Sequence, residues 1–289
     1  MGKIEEATAI FFKSARDEEL EVGMRYEAAD SLGELGRVKE AAIILLELAN
    51  YENIEHELRY YAAQSLVKLG EVEKAAPILF ELVCDERVEV WVRCEAASFL
   101  GKLGMIEEAE AILLELASDE EIDPEVRSSA ASSLGKFGRV DEAINVLLEL
   151  ARNKEMEPRV RLEAANSLRD LGMVDEATSI LLELTRDKEV KPEMRSQVAS
   201  SLIKLNRVRE AIPILLELSR NEEIELSVRY DATSLLVELG RGNKKAINAL
   251  FELASDEKVT PWMRSEAYRA LKELVGKARG QSTAVNGLK

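Results

Sequence analysis

The 289-residue chain carries 39 Lys and Arg residues against 55 Asp and Glu residues, which gives a formal net charge of −16 at pH 7. A charge of this sign disfavours nucleic-acid backbones and anionic membrane surfaces as partners, and it favours basic partner surfaces. The sequence contains no run of about 18 apolar residues that could span a membrane, and its acidic N-terminus does not fit a secretory signal. We therefore predict a cytoplasmic protein that binds neither nucleic acid nor membrane.

Few residues of the chain are suited to catalysis or metal binding. Cys84 and Cys94 are the two cysteines, and their spacing of ten residues fits neither a disulfide framework nor a zinc site. His56 is the single histidine, and no motif around it indicates a catalytic triad. No glycine-rich loop of the kind that binds phosphate is present. The sequence therefore predicts a protein that is not an enzyme and has no catalytic residues, cofactor or metal site.

A unit of 34 residues recurs along the chain. Each unit begins with a Gly, which Asn206 replaces in one copy, and positions within a repeat are numbered from that residue. Repetition at a fixed period of about 20 to 50 residues indicates stacked structural units, so we predict a single repeat domain over residues 2–274. The last repeat has one extra residue, near Gly242. The eight repeats are 2–35, 36–69, 70–103, 104–137, 138–171, 172–205, 206–239 and 240–274.

Each repeat is predicted to fold as a hairpin of two helices, A and B. Helix A covers positions 3 to 15, with apolar residues at 3, 6, 7, 10, 13 and 14. Helix B covers positions 21 to 34, with apolar residues at 23, 27, 28, 31 and 34, and both patterns have the helical period. The position-1 residue is expected to end helix B in the left-handed conformation, which Gly adopts freely and Asn206 tolerates. Pro77 and Pro213, at position 8, predict a bend early in helix A. Proline is predicted to be the first residue of helix B in four repeats: Pro124, Pro158, Pro192 and Pro261.

Stacked hairpins of this kind predict an all-α fold, an α-solenoid wound as a right-handed superhelix of eight 34-residue helical hairpins. Residues 275–289 lose the pattern and are predicted to form a flexible C-terminal tail. Solenoids need polar outer faces on their terminal repeats, but the first helix A carries Phe11 and Phe12. We expect a monomer, with end-to-end pairing as the alternative.

The block DEEIDPEVRSSAASSLGKFG, residues 119–138, resembles the second half of a HEAT repeat. The shared features are an Asp in the joint between the helices, a Val-Arg pair, an Ala-Ala pair and a Leu, and they extend over all eight repeats. The sequence is most similar to the short HEAT-like repeats of phycobilisome-lyase-type proteins. Tetratricopeptide repeats are the second choice, because the repeat length and the turn FGRVDEA are similar to theirs but their large aromatic residues are missing.

This resemblance implies that helix B lines a concave face and that the chain is a non-enzymatic protein-protein interaction scaffold. The alternatives are a ligand-handling or sensor module, such as a bilin-lyase-type subunit or the sensor arm of a signalling NTPase, and an engineered or isolated repeat scaffold.

Position 24 is Arg in every repeat. Arg is seldom buried unless it is paired, and eight equivalent copies indicate a structural brace rather than an active site. Position 16 is Asp or Asn in most repeats, and it is the predicted partner, because it can accept hydrogen bonds from the guanidinium group and from N–H groups of the joint. The Glu residues at position 12 are predicted to face solvent. The predicted braces are Arg25, Arg59, Arg93, Arg127, Arg161, Arg195, Arg229 and Arg264.

The outward side of helix B is the predicted binding face. Position 29 is small or polar in most repeats, which suits the floor of a groove. Positions 22 and 25 vary most, and the aromatic and Arg residues there are typical of binding hot spots. The alternative is that each ring only covers the neighbouring helix. We predict a protein or peptide partner with a basic surface. The candidate partner-binding residues are Tyr26, Tyr60, Trp91, Arg159, Tyr230 and Trp262.

Overall fold

The fold consists of α-helices packed as consecutive hairpins. A computed structural model describes residues 2–51, 54–187, 189–240 and 243–286, and it describes side chains as far as residue 274. Over these ranges the chain forms sixteen helices and no strand. The predicted all-α fold, an α-solenoid of helical hairpins, is confirmed, and its handedness stays a prediction. The chain divides into two compact units, with the division after Val146.

The first unit contains the hairpins of repeats 1 to 4. Its helices are α1 (Gly2–Ala15), α2 (Val22–Glu34), α3 (Val38–Ala49), α4 (His56–Lys68), α5 (Val72–Cys84), α6 (Val90–Lys102), α7 (Ile106–Ser118) and α8 (Pro124–Lys136). Consecutive helices contact each other, and each helix B also contacts the next helix B. Ala62, Ala63 and Leu66 of α4 are fully buried at these contacts. The small Ala pair lets neighbouring helices approach closely, while each buried Leu contributes roughly 1.5–3 kcal/mol of stability.

The second unit follows the same plan. The division lies within α9 (Val140–Arg152), and the remaining helices are α10 (Pro158–Asp170), α11 (Val174–Arg186), α12 (Pro192–Lys204), α13 (Val208–Arg220), α14 (Leu226–Gly240), α15 (Lys244–Ser255) and α16 (Pro261–Asn286). Helices α10, α12, α14 and α16, all of the B type, contact one another in sequence. The extra residue predicted near Gly242 lies outside the described residues. Helix α16 continues past residue 274, where the repeat pattern ends, so the predicted tail is helical as far as Asn286. Its flexibility stays a prediction.

The ends of helix B have the predicted left-handed residue in most repeats. Gly36 has φ +80°, its N–H donates to the Gly33 carbonyl at 2.9 Å, and the next N–H, of Arg37, donates to the Leu32 carbonyl at 2.9 Å. This pair of bonds is a Schellman motif, which satisfies carbonyl groups that the helix leaves unpaired. Asn206 adopts φ 60° in the same role.

Gly240 is the exception: it is the last residue of α14, as predicted, but it does not adopt the left-handed conformation. A Cβ added to it would stand 2.6 Å from Leu250 Cδ1. Glycine at this position therefore allows α15 to approach closely rather than allowing a left-handed turn.

The prolines of helix B confirm the predicted helix starts. Pro124, Pro158, Pro192 and Pro261 are each the first residue of their helix. Pro77 and Pro213 lie inside α5 and α13, and the bend expected there stays a prediction.

Candidate functional site

In most repeats, the Arg at position 24 donates a hydrogen bond to a backbone carbonyl at the end of helix A of the same repeat. Arg161 is 2 % exposed, and its Nε donates a hydrogen bond to the carbonyl oxygen of Ala151, 3.1 Å away. Ala151 lies in the last turn of α9, where carbonyl groups have no partner within the helix. A cation at this end also offsets the helix dipole. The same Nε bond to the carbonyl ten residues earlier is present for Arg25, Arg59, Arg93, Arg127, Arg161 and Arg229.

Several of these guanidinium groups also reach the next repeat. Their partner is the Glu at position 12 of the following helix A, whose side chain stays 43–66 % exposed, so these Glu residues face solvent as predicted and also pair with the Arg. The pairs are Arg59–Glu81, Arg93–Glu115, Arg161–Glu183 and Arg195–Glu217, with N–O distances of 2.7, 3.9, 3.6 and 3.2 Å. The position-24 Arg therefore links adjacent repeats, and its assignment as a structural brace stays a prediction.

The Asp and Asn side chains at position 16 accept hydrogen bonds from backbone N–H groups of the turn between helices A and B. The side chain of Asp119 accepts from the Glu121 N–H at 3.0 Å, and that of Asn153 accepts from the Glu155 N–H at 2.9 Å. The predicted hydrogen bond from the guanidinium group to position 16 is wrong for Arg161, whose Nε bonds the Ala151 carbonyl and whose Nη2 lies near Glu183 instead of Asn153. The expected bond to N–H groups of the joint is confirmed. It is formed by Asp17, Asp85, Asp119, Asn153, Asp187, Asn221 and Asp256.

Three tyrosines gather on the helix-B side of the first unit, and we call Tyr26, Tyr60 and Tyr61 the tyrosine cluster. The ring centroids of Tyr26 and Tyr61 are 6.4 Å apart, and those of Tyr60 and Tyr61 are 5.7 Å apart. Tyr60 also meets the edge of the Phe99 ring at 6.3 Å. Tyr60 is only 4 % exposed, so its predicted role as an outward-facing anchor is wrong. The ring is covered because it packs against the next helix B, while Tyr26 and Tyr61 are half-buried.

Carboxylates surround this cluster. The Tyr61 hydroxyl donates to Glu57 Oε1 at 2.9 Å, and the Tyr60 hydroxyl donates to Glu95 Oε2 at 3.4 Å. Burial and the negative charge of Glu95 raise the pKa of Tyr60, whereas the hydrogen bond to Glu57 is the main cause that raises the pKa of Tyr61. Each tyrosine therefore stays protonated beside a carboxylate.

Two other candidates of the sequence analysis lie at the start of helix B. Trp91 is 39 % exposed on α6. Arg159 is exposed on α10, where its Nε donates to Glu163 Oε1 at 3.1 Å, one turn further along the helix. The Arg159 guanidinium is engaged within its own helix, and Trp91 does not belong to any of the aromatic pairs of the described residues.

The remaining two candidates form one surface in the second unit. Tyr230 of α14 and Trp262 of α16 are stacked, with ring centroids 4.3 Å apart and planes 18° apart. Both stay exposed, at 45 % and 44 %. Stacking holds both rings in one orientation, so they present a rigid apolar surface.

An open depression of about 530 Å³ lies between α12 and α14, on the same helix, α14, that carries Tyr230. Small polar side chains and two carboxylates, Glu193 and Asp231, line most of it, and no cation is among the lining residues. Its residues come from repeat positions 22, 25, 26 and 29 of α12 and positions 22, 23, 26, 29 and 30 of α14. The small polar floor predicted at position 29 contributes Ser200 and Ser234.

Sequence reasoning missed that each helix B carries an acidic residue near its start. Each repeat has one carboxylate at position 22 or 26, one helical turn apart, and recording the acidic residue of each helix B would have found it. These residues are Glu27, Glu57, Glu95, Glu125, Glu163, Glu193, Asp231 and Glu266.

Other chemistry is sparse in the described ranges. No group of three or more His, Cys, Asp or Glu residues there could hold a metal ion, and no helix there is long and apolar enough to cross a membrane. His56 Nδ1 lies 2.9 Å from Glu89 Oε2. Burial raises the pKa of the Cys94 thiol to about 12, so this cysteine is a poor nucleophile.

Part of the chain matches a known family of repeats. Residues 89–169 and 113–202 match the family model described as HEAT repeats. Human deoxyhypusine hydroxylase in complex with glycerol is 20 % identical over 94 % of this chain and 97 % of its own, with a TM-score of 0.35. An engineered protein is 17 % identical over 96 % of this chain and 98 % of its own, with a TM-score of 0.25. These two scores are too low to support an argument about fold or activity, and no curated protein matches the chain. Residues 89–202 therefore carry HEAT repeats, as the resemblance in the sequence predicted.

Proposed function

We propose that the chain is a non-enzymatic scaffold that binds a protein or peptide along its helix-B face. The observation that carries this proposal is the exposed Tyr230–Trp262 stack beside the α12–α14 depression. Exposed aromatic side chains are the commonest energetic centres of protein interfaces. Because the two rings already hold each other, a partner loses little side-chain entropy when it covers them.

The chemistry of the depression favours a polar, basic segment. Ser196, Ser227 and Ser234 offer hydroxyl groups that can bond the backbone of an extended peptide. Glu193 and Asp231 attract a cation, and the net charge of −16 adds a long-range attraction for basic partners.

We place this scaffold in the cytoplasm, as a monomer. Cys84 is exposed and Cys94 is buried, and both are free thiols, as is usual in a reducing compartment.

A ligand-handling module is the competing proposal, because the depression has the volume of a small-molecule site, about 300–1,000 Å³. Its lining argues against this function. Such sites are mainly apolar and enclosed, whereas Val228 and Leu235 are the only apolar residues that line this open one.

Cross-linking capture from the source cell tests the scaffold proposal. The native chain is compared with the double variant Tyr230→Ala/Trp262→Ala and with Phe251→Ala, which removes an aromatic residue that is 56 % exposed on α15, a helix A. We expect the native chain and Phe251→Ala to recover the same partner and the double variant to lose it. Equal recovery by all three, with unchanged melting temperatures, contradicts the proposal.

A further inference from the structure

We propose that the tyrosine cluster of the first unit binds the guanidinium group of an arginine side chain from a partner. This inference rests on the proposed function, because it names the partner group that one part of the helix-B face takes. It concerns residues of the first unit, so it can fail independently of the surface around Trp262.

Tyr61 is the centre of the site. Its half-buried ring lies between Tyr26, contributed by α2, and Tyr60, its neighbour in α4. The centroid separations of 6.4 and 5.7 Å leave the three rings in contact but tilted, at 33° and 46°, rather than stacked face to face. A tilted ring that is partly open keeps a π face available for a cation within about 6 Å of its centroid.

The site has negative charge and no cation of its own. Glu57 and Glu95 each accept a hydrogen bond from a tyrosine of the cluster, and a carboxylate has acceptor sites for further donors. Neither carboxylate forms an ion pair with another of the described residues. The hydrogen bond to Glu57 is the main cause that raises the pKa of Tyr61, and the charges of Glu57 and Glu95 add to it.

The position-24 arginines of the two repeats that supply the tyrosines are occupied elsewhere. Arg25 lies over the Tyr51 ring, 5.9 Å from its centroid, and its Nε bonds the Ala15 carbonyl. Arg59 pairs with Glu81 at 2.7 Å. A cation that balances the cluster therefore has to come from a partner.

Arginine fits these groups better than lysine does. Its planar guanidinium stacks on aromatic faces and carries five donors in a fixed fork, so one group that covers the Tyr61 ring still has donors for the carboxylate beside that ring, Glu57. A lysine ammonium gains the attraction of the carboxylates without stacking, and it is more strongly hydrated.

The test uses the full chain with carbon-13 in its six tyrosines and follows their ring signals by NMR. The probes are the blocked tripeptide Gly-Arg-Gly, the same peptide with lysine, and the same peptide with citrulline, the neutral isostere of arginine. We expect the arginine peptide to shift the Tyr61 and Tyr26 signals in a saturable way. The citrulline and lysine peptides should bind at least about fivefold more weakly.

Variants separate this site from general charge attraction. Glu57→Gln/Glu95→Gln should weaken arginine binding by about tenfold, and Tyr61→Ala should abolish the saturable shift of Tyr26. The matched control, Glu222→Gln/Glu223→Gln, removes the same charge from exposed residues of the second unit and should leave binding within about twofold.

Three results overturn the inference: no saturable shift up to about 10 mM peptide, equal binding of the citrulline or lysine peptide, or equal weakening by the control variant. The peptide comparison uses the unaltered chain, so it decides even where a variant is unstable. A negative result here, together with partner loss in Tyr230→Ala/Trp262→Ala, rejects the arginine site and leaves the proposed function in place.

Discussion

Replacing Arg161 with Ala removes a side chain that is 2 % exposed and that joins two repeats. The hydrogen bond from its charged Nε to the Ala151 carbonyl is worth roughly 1.5–3 kcal/mol. The two methylene groups lost in the change contribute about 1.5 kcal/mol more. The pair with Glu183 adds less than about 1 kcal/mol, because that carboxylate is 43 % exposed. We therefore expect the free energy of unfolding to fall by about 3–5 kcal/mol.

Urea unfolding followed by far-UV circular dichroism measures this loss, with the curves fitted to a model of coupled repeats, because repeat arrays do not always unfold in one step. The matched control is Arg159→Ala, two residues earlier in α10, where the exposed side chain should contribute less than about 1 kcal/mol. Arg161→Met keeps most of the volume and isolates the polar contribution. The reasoning is refuted if Arg161→Ala costs no more than Arg159→Ala, or if Arg161→Met restores native stability.

Further predictions concern packing, backbone conformation and ionisation. Gly101→Ala should destabilise the chain by about 1–3 kcal/mol in thermal unfolding, because the new Cβ would stand 2.2 Å from the Phe137 ring; an unchanged melting temperature contradicts this. Gly172 has φ +86° and open space around it, so Gly172→Ala should lower the free energy of unfolding by about 1–2 kcal/mol, and Gly172→Asn should lower it less. Equal losses would contradict the view that the left-handed conformation requires glycine here. A thiol reagent should label Cys84 and leave Cys94 unlabelled until unfolding, so rapid labelling of both is the contrary result. The pKa of Cys94 is raised from 9.0 to about 12 in the folded chain, so the stability that the protonated thiol contributes is complete below pH 9 and is lost as the pH rises toward 12. The urea midpoint should therefore fall less steeply over this pH range in Cys94→Ala than in the native chain. An equally steep fall in both contradicts this prediction.

The helices and most of their ends could be predicted from the sequence, because they depend on local chemistry. Pro158 at the start of α10 and Gly172 after its end each satisfy a requirement of the nearby backbone. Gly240 shows the limit of this reasoning, because it is not left-handed, and the space for a Cβ there is taken by Leu250, a residue of the next helix.

The partners of Arg161 could not be predicted from residue types alone. Its main acceptor is a backbone carbonyl, which every residue possesses, so the acceptor leaves no mark in the sequence. Its second partner, Glu183, belongs to the next repeat, and a comparison of positions within one repeat does not pair them.

The exposure of the candidate binding residues could not be predicted residue by residue from the sequence. Tyr60 and Tyr230 share position 25, yet Tyr60 is 4 % exposed and Tyr230 is 45 % exposed. The difference depends on what the next helix B supplies. Phe99 meets the Tyr60 ring edge-on, whereas Trp262 stacks on Tyr230 and leaves both rings accessible.

Site-specific photo-cross-linking tests most directly whether the partner lies on the helix-B face. A photoreactive amino acid replaces Ser234, an exposed residue that lines the α12–α14 depression, or Phe251, exposed on α15, a helix A. We predict that the captured partner cross-links from position 234 and not from position 251, and that Tyr230→Ala/Trp262→Ala removes the cross-link. Cross-linking from position 251 alone, or equally from both positions, would contradict the assignment of helix B as the binding face.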